Sequence, residues 1–253
     1  SSTQVTKEVL SEAKKLKIIG RAGIGVDNID CSAATERGVI VINTPSGNAT
    51  TTAEHTIAML MSLSRHIPQA DKSMHQGAWE KSKFTGTEIT GKVLGIFGFG
   101  NIGKIVADRA LGLRMRVLVS DPFLNEQVAA KHGFELVSND VLFKRSDYIS
   151  VHVPLNETTH NMIDHKTIQA MKTGVSILNC ARGGIVSESA LLDGLSSGKV
   201  AGAAIDVFEE EPPQKDNPLL THDRVICTPH LGASTAEAQV NVAIQAAEQI
   251  RDY

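Results

Sequence analysis

Val93–Gly103 reads V-L-G-I-F-G-F-G-N-I-G, an apolar run that meets the pattern G-x-G-x-x-G at Gly98, Gly100 and Gly103. Such a run is suited to holding the pyrophosphate of a dinucleotide. Gly98 would make the tight turn out of a strand, Gly100 would let the backbone approach the phosphates, and Gly103 would let the next helix pack closely on that strand. The helix N-terminus adds free N–H groups and a positive dipole end for the anion. A bare glycine pattern is a weak signal. Here a second apolar run, Arg116 to Ser120, follows and ends in Asp121, about 20 residues beyond the turn, where a carboxylate accepts hydrogen bonds from the adenosine ribose. The same aspartate would also serve as a turn former before Pro122. An acidic group at this place repels a 2′-phosphate, so the expected cofactor is NAD.

These residues need a sheet edge to stand on, and the chain alternates apolar runs with helical patterns in the rhythm of a mainly parallel, doubly wound α/β sheet of Rossmann type. After Gly98 the expected strands are Arg116 to Ser120, Glu135 to Val137, Tyr148 to Val151, Ser176 to Asn179, Gly202 to Ile205 and Val225 to Cys227. One helix is predicted from its N-cap Asp164 to near Gly174, another from Ser187 to near Gly198. A long helix is predicted from Thr52, with Thr51 and Glu54 spaced as a capping box and Ile57, Leu60, Met61 and Ser64 as its packing face. Ahead of it, strand Lys17 to Arg21, a Gly-rich turn, a helix ending at Gly38 and strand Val39 to Ile42 form a partial, second smaller α/β unit. It is too small to close a core alone. The expected domains are therefore residues 1–45, a partial substrate-binding lid; 46–232, the NAD-binding domain; and 233–253, a helix returning towards the lid.

A formal charge of −3 over 253 residues favours neither nucleic acid nor a membrane surface as partner. No stretch approaches the roughly 18 apolar residues of a spanning helix. Cys31, Cys180 and Cys227 are isolated, and no histidine has ligand spacing with carboxylates or cysteines. No disulfide framework or metal site is expected, and with no signal-like start a reducing cytoplasm is the simplest compartment.

Four segments together resemble the D-isomer-specific 2-hydroxyacid dehydrogenases. They are Gly23–Asp27, the cofactor fingerprint, Asn179–Gly184, and the pair Glu209–Pro213 with Pro229–Ser234. The resemblance covers nearly the whole chain in the family's order and spacing, although members normally begin earlier and continue past Tyr253. It implies a catalytic set of three. His230 would be the general base that takes the hydroxyl proton, Glu211 would bond its other ring nitrogen, with Glu209 and Glu210 as adjacent competitors, and Arg182 would clamp the substrate carboxylate or carbonyl oxygen with a bidentate fork. For the cofactor it implies Asn101 and Ile102 at the pyrophosphate, with Val153, Cys180, Asp206, His230, Gly232 and Ala233 along the nicotinamide. Asp206 would bond the carboxamide, or else cap the turn after its strand. Ile24, Gly25 and the Asn48 amide would grip the substrate carboxylate.

The segments Arg21–Asp30, Asn43–Asn48, Trp79–Gly86 and Pro229–Thr235 are similar to the branch of the family that oxidises 3-phosphoglycerate to 3-phosphohydroxypyruvate. This makes Arg21, Arg65 and Lys81 the expected phosphate-binding cations. Alternatives on the same scaffold are a glyoxylate, hydroxypyruvate or D-lactate type reductase, or a non-catalytic NAD-sensing protein like a corepressor. The partner expected is a small 2-hydroxy acid. The long helix and Gln76 to Phe84 resemble the family's dimer contacts, which implies a homodimer or homotetramer.

Overall fold

In the computed structural model, which describes residues 3–253, the chain divides into two compact units. The smaller comprises the described residues through Thr51 together with Ala233–Tyr253, and the larger is Thr52–Gly232. The division falls at 51/52, inside a helix, rather than at the expected 45/46.

The smaller unit runs α1 (Lys7–Glu12), β1 (Ile18–Arg21), α2 (Cys31–Glu36) and β2 (Ile40–Asn43), with β1 and β2 paired in parallel. Leu10, Ala33, Ala34 and Val39 form its buried centre. Each short helix is started by a side-chain cap, since Thr6 accepts from the N–H of Val9 and Asp30 from that of Ala33.

α3 (Ala49–Arg65) links the units and α4 (Ile67–His75) follows it. α3 starts earlier than the Thr51/Glu54 spacing suggested. Gly47 and Asn48 already turn the chain, so Thr51 lies inside the helix, where its hydroxyl meets that of Thr235 at 3.4 Å. Its packing face is also rotated from expectation: Met61 is 36% exposed, while Thr52, Ala53, Thr56, Met59, Leu60, Leu63 and Ser64 are buried. Thr56 and Ser64 satisfy their hydroxyls on carbonyls one turn back, at Thr52 and Leu60. Hydrophobicity alone does not register that local compensation.

The larger unit then follows the βα rhythm: β3 (Val93–Phe97), α5 (Asn101–Gly112), β4 (Arg116–Ser120), α6 (Glu126–Lys131), β5 (Glu135–Leu136), α7 (Asn139–Arg145), β6 (Tyr148–Val151), α8 (His165–Ala170), β7 (Val175–Asn179), α9 (Glu188–Ser196), β8 (Val200–Ile205) and β9 (Val225–Cys227). α10 (Ala236–Asp252) belongs to the smaller unit. Every strand pair of the seven-stranded sheet is parallel, in the order β5-β4-β3-β6-β7-β8-β9. Strands buried on both faces, as β6 and β7 are throughout, read as unbroken apolar runs because helices cover each side. Asp164 caps α8 as expected, but that helix ends at Ala170 rather than near Gly174, since Met171 turns extended and enters the core at 3% exposure. The chain order reverses between β3 and β6, and ligands of doubly wound sheets bind at the carboxyl ends of strands beside such a reversal.

Candidate active site

The cofactor cradle lies at that reversal. Gly98 leaves β3 with φ of +86°, and a Cβ there would stand 2.6 Å from the carbonyl oxygen of His152, just past the end of β6. At Gly103 a Cβ would stand 2.0 Å from the carbonyl oxygen of Gly98. Only glycine lets α5 approach this closely. Around Gly100, by contrast, nothing comes within 4 Å of where a Cβ would be, and no side chain caps the helix it precedes. α5 begins at Asn101 and Ile102, and the first-turn N–H groups at such a helix start are the donors and positive dipole end that suit a phosphate. Asp121 sits beside the turn, its Oδ2 accepting from the N–H of Phe99 at 2.6 Å and its Oδ1 from that of Phe123 at 2.8 Å. Two backbone donors hold the carboxylate in one orientation, with lone pairs left over for ribose hydroxyls. Val153 packs against the same turn, its Cγ1 lying 2.8 Å from the same Gly98 position. The residues present thus fit NAD.

The three expected catalytic side chains come from three loops of the larger unit. His230 Nδ1 lies 2.7 Å from Glu211 Oε2. A carboxylate can only accept, so the ring carries a proton on Nδ1, and in the neutral imidazole Nε2 is then the acceptor. The two neighbouring acids are engaged elsewhere: Glu209 Oε1 accepts from the N–H of Glu188 at 3.0 Å, and Glu210 Oε1 accepts from Gln214 Nε2 at 2.8 Å. Glu211 Oε1 also accepts from the N–H of Phe208 at 3.2 Å. Phe208 in turn packs directly on the Arg182 turn, where a Cβ at Gly183 would stand 1.7 Å from its carbonyl oxygen. Arg182 follows the end of β7; its backbone carbonyl accepts from Asn179 Nδ2 at 2.8 Å, and its Nη1 donates to the Ala181 carbonyl at 2.6 Å. His230 and Glu211 are 47% and 38% exposed at their side chains, open enough to meet a substrate.

Asp206 closes β8 and is 1% exposed. Its Oδ1 accepts from the Thr228 hydroxyl at 2.5 Å and the Leu231 N–H at 2.7 Å, and its Oδ2 from the Gly232 N–H at 2.8 Å. His55 Nε2, from α3, stands 3.3 Å from Oδ1 and 3.2 Å from Thr228 Oγ1. Burial works against the charge of Asp206, yet these donors outweigh it and hold the carboxyl below its ordinary range. The carboxylate of Asp206 thus braces the distant Thr228–Gly232 segment rather than the turn that follows its own strand, and its Oδ2, with the Gly232 N–H as partner, keeps a lone pair with which to accept from a carboxamide. Cys180, beside it, is 5% exposed, and burial first, then the Asp206 charge, pushes its thiol up to about 12. It is a neutral wall residue. Gly232 is buried, and Ala233 begins the part of the chain grouped with the smaller unit.

The expected carboxylate grip lies in the smaller unit. The Gly23 turn is pinned to β2's end by Gly23 N–H to Thr44 Oγ1 at 2.6 Å and Thr44 N–H to the Gly23 carbonyl at 3.0 Å, while Asn43 Nδ2 donates to the Ile24 carbonyl at 2.7 Å. Arg21 folds its guanidinium over this turn, with Nη1 donating to the Ala22 carbonyl at 2.5 Å. Asn48 lies in the turn before α3, and Gly25 follows Ile24 in the loop. Arg65 ends α3 with its stem along Gly86, and Lys81 is exposed in a short 3-10 turn, Lys81–Phe84. Sequence reading passed over His55, Thr228 and Glu188. His55 and Thr228 are 173 residues apart and meet only because α3 docks beside the β9 loop, a proximity with no local signal. No group of His, Cys, Asp and Glu among the described residues is arranged to hold a metal ion.

A family model described as "D-isomer specific 2-hydroxyacid dehydrogenase, NAD binding domain" matches residues 57–232. D-3-phosphoglycerate dehydrogenase of Archaeoglobus fulgidus is 52% identical over 250 residues, covering 99% of this chain and 47% of the relative. The enzyme of that name from Bacillus subtilis is 51% identical over 253 residues, covering 100% and 48%. The chain spans about half the length of these curated relatives. Among solved structures, a glyoxylate reductase from Paecilomyes thermophila superposes with a TM-score of 0.90 at 35% identity over 98% of this chain and 75% of that one. A D-lactate dehydrogenase from Aquifex aeolicus, complexed with NAD and lactic acid, gives 0.88 at 31% over 98% and 79%. With the cradle, the His–Glu pair and the arginine turn all in the order this family keeps, the chain belongs to the D-isomer-specific 2-hydroxyacid dehydrogenases, and its larger unit is their NAD-binding domain.

Proposed function

We propose that the protein interconverts a D-2-hydroxy acid and its 2-keto acid with NAD, and that the acid is 3-phosphoglycerate. The observation that carries the reading is the 2.7 Å contact of His230 Nδ1 with Glu211. It leaves Nε2 as a general base for the substrate hydroxyl and sets a negative charge behind the ring as that proton arrives. Bound NAD supplies the acceptor for the hydride leaving the same carbon, so the hydroxyl proton and the hydride depart to different partners and a ketone remains. Arg182 offers a planar fork to an oxygen of the substrate that Lys cannot copy.

Identities near 50% to proteins named D-3-phosphoglycerate dehydrogenase, against 31–35% to the reductase and lactate dehydrogenase structures, support the phosphorylated substrate. Arg21, over its turn, is the cation we assign first to the phosphate, with Arg65 and Lys81 as further donors. Steady-state kinetics of the intact protein with 3-phosphoglycerate, D-lactate and D-glycerate test this. The phosphorylated acid should win, and Arg21→Ala should weaken it far more than the other two. Equal efficiencies would remove the phosphate claim and keep the dehydrogenase; no turnover of any hydroxy or keto acid would leave an NAD-sensing protein. A homodimer or homotetramer is proposed on the exposed Ile67, Met74 and Trp79, the last 80% exposed, and sedimentation analysis checks it. The three free cysteine thiols support a reducing, cytoplasmic setting.

A further inference from the structure

We infer that His55 is a positioning residue for the catalytic histidine, acting through Asp206; the inference rests on the dehydrogenase reading above. Thr228–Gly232 must hold the His230 ring in one place, yet His230 itself has φ of +54°, in the left-handed region that disfavours any residue with a Cβ. A segment in such a conformation keeps it only if its surroundings impose it. Asp206 does so from inside the loop. Its carbonyl accepts from the His230 N–H at 2.9 Å, and its carboxylate takes the Leu231 and Gly232 N–H groups and the Thr228 hydroxyl.

Three of the four donors on that carboxylate belong to the segment being held. They move with it and cannot anchor it. The fourth is His55 Nε2, from the middle of α3, whose flanking residues Ala53, Thr56, Met59 and Leu60 are buried. Because the carboxylate has no proton to give and the Thr228 hydroxyl already donates to it, His55 must carry its proton on Nε2 and share it between Asp206 Oδ1 at 3.3 Å and Thr228 Oγ1 at 3.2 Å. One N–H therefore fixes both the carboxylate rotamer and the hydroxyl direction. The helix also touches the segment's far end, where a Cβ at Gly232 would stand 3.3 Å from Thr52 Cγ2.

The experiment compares His55→Leu, which fills the space without a donor, with His55→Gln, whose amide places an N–H near the same point, in the intact protein. For His55→Leu, kcat should fall roughly ten- to hundredfold, the factor for losing a hydrogen bond to a charged group, while NAD affinity and KM stay within about twofold. His55→Gln should recover most of the loss. Amide hydrogen exchange at Leu231 and Gly232 should quicken in His55→Leu and not in His55→Gln. In the wild type, the imidazole nitrogen shifts should report a protonated Nε2 at His55, a measurement that needs no variant. Wild-type kcat and exchange in His55→Leu, equal impairment of the two variants, or an unprotonated Nε2 would overturn the inference. If the wild type turns over no hydroxy acid, the dehydrogenase reading fails separately, and exchange with the nitrogen shifts still decides what His55 does.

Discussion

At the scale of single residues, the site is a chain of donors facing acceptors that carry no proton, and this gives each side chain a distinct loss on substitution. His230→Asn keeps the loop but removes the base: kcat should fall by roughly 10² to 10⁴, the range of general acid–base catalysis, with NAD affinity nearly intact by calorimetry. Glu211→Gln retains an oxygen for the Nδ1 proton but removes the charge behind the ring. Its kcat should lie between those of the wild type and His230→Asn in the same assay. Arg182→Lys keeps the charge and loses the fork, so kcat/KM should fall while cofactor binding does not; unchanged kinetics would return Arg182 to a surface role. Asp121, held by the Phe99 and Phe123 N–H groups, should make NAD bind more tightly than NADP. Asp121→Ala should narrow that difference in paired titrations.

Among the elements, the turn from β3 into α5 separates two uses of glycine. At Gly103 a Cβ would press on the Gly98 carbonyl at 2.0 Å, backbone that cannot yield, so Gly103→Ala should cost about 1 to 3 kcal/mol of stability through overpacking and weaken NAD as well. At Gly100 nothing lies within 4 Å and φ is −71°, so Gly100→Ala should melt like the wild type without cofactor yet lose NAD affinity. Thermal unfolding with and without NAD distinguishes the two. Equal melting losses would mean that Gly100 serves folding rather than the phosphates.

For the whole molecule, the dependence of stability on pH involves His152, a half-buried histidine with an enclosed ring nitrogen. His152 Nε2 meets Ser150 Oγ at 2.9 Å and its Nδ1 is closed off from solvent without a hydrogen-bond partner among the described residues. Burial lowers its pKa to about 4. The folded state therefore resists a proton that the unfolded chain accepts near pH 6.5, and stability falls as pH drops from about 6.5 towards 4, by about 3 kcal/mol in all. Asp206 acts with the same sign but lower: its depressed carboxyl contributes stability above the ordinary carboxylate range that is lost as pH falls through its folded value. Urea unfolding between pH 7 and 4 should show the slope in the wild type and a flatter one in His152→Asn. Parallel curves would assign the slope to other groups.

What the sequence determined by itself was whatever rests on local chemistry. Glycine spacing after an apolar run, Asp and Ser caps at Asp164 and Ser187, and continuous apolar strands each carry their structural consequence within a few residues. The parallel sheet and the cofactor turn were legible for that reason. Helix starts and faces were less so: α3 began ahead of its apparent capping box and buried threonines in place of Met61, because helix ends and docking stripes are set by what lies opposite. The resemblance singled out Glu211 among three consecutive glutamates, but the tertiary structure supplies the physical reason, since Glu209 and Glu210 are diverted to Glu188 and Gln214 by the path of their loop. It alone brought His55 to a carboxylate on β8. Both depend on contacts between residues far apart in the chain, and no periodicity or motif within one segment encodes where a distant loop will come to rest.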